Sequence, residues 1–249
     1  MKIKLIIVLG LVLSSCWGKS QDYKVIAKVP EASGICYASS SDTLFVANDE
    51  GKVYELSREG KRVRKLKLGK YDLEGVACDK DKLYFAIEKK ERILVVEQKS
   101  LNILNNVKIV RKYDGKVVIK KDNDSGIEGI TMINGTLYLS NQSNRTYPNK
   151  DASIVFAVDS IKKKKTKITS IINHGFVDIA GLSYYQDSLY MVSDKKNLLI
   201  QYDIAKQKTI ATHKLPKFSQ EGITFDNQGF VYFADDEGRV LKVESKRFE

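Results

Sequence analysis

The sequence predicts an all-β chain folded as a single β-propeller of five four-stranded blades, closed by an N-terminal strand. Three observations carry this expectation. A glycine-led unit recurs five times, its period matches that of a propeller blade, and the chain after its leader shows no sustained helical periodicity.

Each unit opens with Gly and an aliphatic residue on a first strand, then turns into a second strand that starts with an apolar-aromatic pair. The copies begin at Gly34-Ile35, Gly75-Val76, Gly129-Ile130, Gly181-Leu182 and Gly222-Ile223. Their second strands begin at Leu44-Phe45, Leu83-Tyr84, Leu137-Tyr138, Leu189-Tyr190 and Val231-Tyr232. The glycines stand 41, 54, 52 and 41 residues apart, so two units carry insertions. Third strands are expected at 52–56, 92–97, 153–158, 198–202 and 239–243, and outer strands at 63–68, 107–111, 168–172 and 209–213. These segments are rich in β-branched and aromatic residues and bounded by turn formers. The last unit ends after its third strand. Residues 23–29, which alternate like a strand, are expected to supply its fourth and leave no open edge. A sixth blade hidden near Lys116-Val117-Val118-Ile119 is the alternative.

The N-terminus reads as an export signal. Lys2 and Lys4 precede an apolar run from Leu5 to Leu13, and Leu13-Ser14-Ser15-Cys16 resembles the bacterial lipobox. Residues 1–15 are expected to be a lipoprotein signal peptide, Cys16 the lipid-bearing residue, 16–22 a tether and 23–249 the propeller. The residue after Cys16 is Trp17 rather than Asp, which favours the outer over the inner membrane. No other run is long and apolar enough to span a bilayer.

The 249-residue chain has a formal charge of +11, which falls to +9 without Lys2 and Lys4. Basic clusters at 61–65 and 162–165 are read as attraction to anionic envelope surfaces or as solubility, not as nucleic-acid binding. Membrane contact by 162–165 is a minor alternative to a solvated turn. Cys36 and Cys78 could pair in an exported protein, but both fall inside expected strands, and the reading adopted is that of small buried core residues. A monomer is expected.

Carboxylates gather around the repeated glycine. Ser33, Glu74, Glu128, Ala180 and Glu221 stand immediately before it, and Glu31, Asp72, Gly126, Asp178 and Ser219 stand three positions before. A second acidic set, Asp49, Glu50, Glu88, Asp194, Asp235 and Asp236, follows the second strands. First strands line a propeller's channel, so these acids are expected at one rim of the axis. Like charges there need a cation, basic partners or protonation. Oxygen donors of this kind suit Ca²⁺, with Glu31, Glu74, Glu128, Asp178 and Glu221 as the central set and Asp49, Asp72, Glu88, Asp194 and Asp235 as further rim residues. Acids that only cap turns are the alternative. So is compensation by Lys89, Arg92, Arg145, Lys195 and Arg239. With two histidines in the chain, zinc chemistry is not expected.

The runs Glu31-Ala32-Ser33-Gly34-Ile35, Asn48-Asp49-Glu50-Gly51, Asp72-Leu73-Glu74-Gly75, Glu128-Gly129-Ile130-Thr131 and Glu221-Gly222-Ile223-Thr224 resemble the SdiA-regulated family of bacterial propellers, from about residue 24 onward. The resemblance implies a propeller in the cell envelope with a calcium site, and no established substrate. The fourth unit departs from it with Asp178-Ile179-Ala180-Gly181. Two functions stay open: a tethered module that binds a small-molecule or protein ligand at the acidic rim, or a calcium-dependent hydrolase of phosphate esters or lactones.

Overall fold

The computed structural model describes residues 23–119 and 126–248, so the expected signal segment, Cys16 and the whole of the expected tether lie outside the described residues. The described chain forms five four-stranded antiparallel units. The first holds β2 (Ala32–Ala38), β3 (Thr43–Asn48), β4 (Lys52–Ser57) and β5 (Arg62–Lys67). The second holds β6 (Leu73–Asp79), β7 (Lys82–Ile87), β8 (Arg92–Glu97) and β9 (Ile103–Val110). After a hairpin of β10 (Lys112–Tyr113) and β11 (Lys116–Val117), the third holds β12 (Ile127–Ile133), β13 (Thr136–Asn141), β14 (Ile154–Val158) and β15 (Lys165–Ile172). The fourth is β16 (Ile179–Tyr185), β17 (Ser188–Ser193), β18 (Leu198–Asp203) and β19 (Lys208–Lys214). The fifth is β20 (Gln220–Phe225), β21 (Phe230–Asp235) and β22 (Arg239–Glu244), completed by β1 (Lys24–Lys28) pairing with β22. Around Lys116 the described chain has only the two-residue hairpin, not a further blade.

Burial follows from the stacking of blades face to face. Second strands such as β7 and β17 are buried on both faces and therefore read as continuous apolar runs, while the outer strand β5 is almost wholly exposed. Phe45, Val53, Val76, Phe85 and Leu94 fill the space between the first two blades, and the other clusters repeat this pattern around the ring. Tyr84, Tyr190 and Tyr232 are buried in these inter-blade layers and Tyr138 packs against one. The outer strands β15 and β9 also pair in parallel, so the second and third blades are joined at their rims.

The inner strands approach so closely that only glycine fits. A Cβ built on Gly222 would lie 2.8 Å from Ile35 N and 2.9 Å from Gly34 Cα, at the seam where the fifth blade meets the first. The seam is also held by Val29 N, which donates to Gly238 O (3.0 Å). Buried Asp226 accepts from Tyr232 Oη (2.8 Å) and faces Arg58 (3.5 Å).

One expectation is corrected. Cys36 and Cys78 are not separate core thiols: they form a disulfide between the inner strands of the first two blades, with Cα atoms 5.7 Å apart. Strand placement alone assigned each cysteine to its own blade, but inner strands of adjacent blades are neighbours around the axis.

Candidate functional site

Strand direction sorts the loops onto two faces. Each inner strand starts, and each second strand ends, on one face, called here the mouth. The turns between first and second strands, and between third and fourth, lie on the opposite, far face. Both acidic sets therefore fall on the mouth. So do both insertions, one between β9 and β12 and one between β13 and β14.

A β-bulge starts every inner strand. The register shifts between Ala32 and Gly34, Leu73 and Val76, Ile127 and Ile130, Ile179 and Gly181, and Gln220 and Gly222. One extra residue per blade is thus placed at the residue before the glycine or at the glycine itself, and a bulge re-aims the side chain it carries. This local device turns Glu74, Glu128 and Glu221 toward one another. In the other two blades the residue before the glycine is Ser33, whose hydroxyl donates to Leu73 O (2.5 Å), and Ala180.

Carboxylate oxygens of Asp72, Glu74 and Glu88 lie within 4.8 Å of one another. Glu128 stands behind them, buried and hydrogen-bonded to Glu88. Gly126 makes room for this: a Cβ there would run into the Glu88 side chain, so its lack of a side chain lets Glu88 lean toward the third blade. Burial, followed by the Glu88, Asp72 and Glu221 charges, pushes the Glu74 carboxyl well above the usual range. Burial, then Glu74 and Glu221, does the same to Glu128. Glu221 is raised to about 8 by burial, then by Asp194, Asp236 and Asp178. Asp49 is raised to about 7 by burial, then by Glu31, Asp72 and Asp236. Glu88, Asp194 and Asp236 are also raised, burial first in each case.

The expected central set is therefore split. Glu74, Glu128 and Glu221 are drawn into one electrostatic unit, joined by the rim residues Asp72 and Glu88. Glu31 is exposed at the edge beside Asp49 and Asp236. Asp178 is buried and engaged locally: it accepts from Lys195 N (2.7 Å) and faces Lys195 Nζ (3.8 Å). Asp235 accepts from Ser219 N (3.2 Å) and pairs with Arg239. Asp194 accepts from Gln220 N (3.1 Å). Lys89 lies 2.6 Å from Asp72 and 3.4 Å from Glu88, and Arg92 bonds Asn106. Sequence reasoning missed the part played by Gly126, although it is the one glycine three positions ahead of a repeat glycine.

The mouth narrows along the axis. At the glycine ring the axial space shrinks to about 10 Å³, room for a single water molecule at most. Beyond the aliphatic ring of Ile35, Val76, Ile130, Leu182 and Ile223 is a separate cavity of about 120 Å³ near Tyr37, Met132 and Tyr184. Asp72, Glu74 and Glu88 offer only hard oxygen donors, three carboxyl groups against the one ammonium group, that of Lys89, paired with them among the described residues. That fits a hard divalent cation of flexible coordination such as Ca²⁺.

Solved structures share this architecture. Myxococcus xanthus glutaminyl cyclase, a β-propeller, superposes with a TM-score of 0.60 at 14% identity, over 89% of this chain and 95% of that one. Kuenenia stuttgartiensis hydrazine synthase gives a TM-score of 0.50 at 15% identity, over 82% of this chain and 55% of that one. At such identities the likeness is one of fold. No functionally curated protein matches the sequence. The SdiA-regulated family model does match, over residues 16–236, a span containing all five repeat glycines and their acidic loops, and the chain belongs to that family.

Proposed function

We propose that this chain is an envelope lipoprotein, anchored through Cys16, whose acidic mouth binds a divalent cation, with Ca²⁺ the best chemical match, and presents it to a ligand or partner. The observation that carries the reading is the convergence of Asp72, Glu74 and Glu88 at 4.8 Å, with Glu128 packed behind them. Asp72, Glu74 and Glu88 would supply the ligating oxygens, and Glu128 would hold Glu88 in place. A bound cation would polarise an anionic or carbonyl group of the ligand. The disulfide supports export independently, because such bonds persist in oxidising compartments and are rare in the cytosol.

Equilibrium dialysis of the mature protein against calcium tests the cation site. One ion per chain, lost in Glu74→Gln, is expected; no retained ion at millimolar calcium would reject it. Turnover of phosphomonoesters or lactones that disappears in Glu74→Gln would move the reading to the hydrolase. Anchoring is tested separately by the mass of the chain purified from membranes.

A further inference from the structure

We infer that the far face of the propeller lies against an anionic lipid surface, so that the acidic mouth points away from the membrane. The orientation rests on the proposed anchor at Cys16; the lipid-binding surface itself does not.

The direction of β1 sets where the tether leaves. Lys28 pairs with Arg239 at the mouth end of β22, whereas Lys24 pairs with Lys242 toward its far end. Tyr23 accordingly sits under Arg247, which follows β22 on the far side (4.8 Å). Gly60, in the far-face turn after β4, packs against Ile26. From Cys16 to Tyr23 a fully extended chain reaches no more than roughly 25 Å. A lipid at Cys16 would therefore hold the far face near the bilayer.

On the same face, across the ring from the tether, is a patch with the chemistry of an interfacial contact. Lys162, Lys163 and Lys164 are all exposed in the turn before β15. Beside them the start of β9 exposes two large apolar side chains, Ile103 (42%) and Leu104 (51%). The two segments are fastened together: Asn105 Nδ2 donates to Ile161 O (2.9 Å), and Lys164 Nζ donates to Asn105 Oδ1 (3.2 Å). Between them runs a groove of about 600 Å³ lined by Lys82, Leu104, Met132, Ile161, Lys162 and Lys164. Asp79 and Asp159 also line it, but Asp159 already accepts from Thr166 Oγ1 (2.7 Å). Clustered lysines around exposed aliphatic groups match anionic headgroups above an acyl layer.

Residues 23–248 close the ring with strands of their own, so the chain from 23 to 249 can be tested without any lipid. Sedimentation with vesicles of phosphatidylcholine alone, or with 30% phosphatidylglycerol, measures the surface directly. Binding to the anionic vesicles only is expected, weakened more than about tenfold by Lys162→Glu/Lys163→Glu/Lys164→Glu. The exposed pair change Ile103→Ser/Leu104→Ser should also weaken it, at unchanged thermal midpoint. No binding to anionic vesicles at low salt, or full binding by the triple variant, overturns the proposal. Failure of the anchor would appear instead as an unlipidated mass of the membrane-purified chain, whatever the vesicles show.

Discussion

Lys89 places its ammonium group 2.6 Å from Asp72, close enough to Glu88 (3.4 Å) to serve both carboxylates. Its hydrogen bond to Asp72, and then the charges of Asp72 and Glu88, hold its proton more tightly than usual. It thus occupies the outer side of the site as a built-in monovalent counter-ion. Glu74 and Glu128, deeper in the mouth, have no ion pair to a cation among the described residues and are raised well above the usual range instead.

If a divalent cation uses Asp72 and Glu88, it must displace or repel Lys89. Lys89→Met is then expected to tighten calcium binding several-fold, as read by calorimetry at fixed ionic strength. Weaker binding in the variant would show that the lysine helps to build the site.

The clustered carboxyls make stability depend on pH in a direction opposite to that of a salt-bridged acid. Their protons are held more tightly in the folded chain than in the unfolded one. The stabilisation is full below the ordinary values, 3.8 for Asp49 and 4.5 for Glu221, and is lost as pH rises through the folded values, about 7 for Asp49 and about 8 for Glu221. Urea midpoints of the metal-free protein are expected to fall from pH 5 to pH 8, and less so in Glu128→Gln. A rise over that range would contradict the shifts.

The disulfide closes a long loop, with 42 positions separating Cys36 and Cys78. Chain-entropy reasoning assigns such a cross-link about 4 kcal/mol. Denaturation of Cys36→Ala/Cys78→Ala beside the oxidised parent is expected to show a loss of that order, without loss of the mouth site.

Gly222→Ala tests ring closure. Its Cβ would meet Ile35 N at 2.8 Å and Gly34 Cα at 2.9 Å, and both are backbone atoms that cannot swing aside. A loss of about 1–3 kcal/mol is expected from such overpacking. An unperturbed midpoint would mean that the inner strands can separate at little cost.

Much of the architecture was legible because a blade is a repeated unit: the glycines, the second-strand aromatics and the missing last strand each have a counterpart in other copies. What was not legible depends on contacts between copies. Cys36 is two residues past its glycine and Cys78 three, so no repeat register pairs them; the stagger of adjacent inner strands does. The candidate site divides in the same way. The bulge before each glycine gathers Glu74, Glu128 and Glu221 as their shared position suggested. Glu88 joins them only because Gly126, in the next blade, leaves room, while Asp178 is taken by its own neighbour Lys195.

The most direct measurement is thermal unfolding of residues 23–249 in EDTA and across a calcium titration. A cation held only by the folded mouth should raise the midpoint by roughly 5–10 °C at a hundred times its dissociation constant. The effect should saturate, be absent with magnesium and disappear in Glu74→Gln. A midpoint that stays fixed across millimolar calcium would contradict a cation site at the mouth.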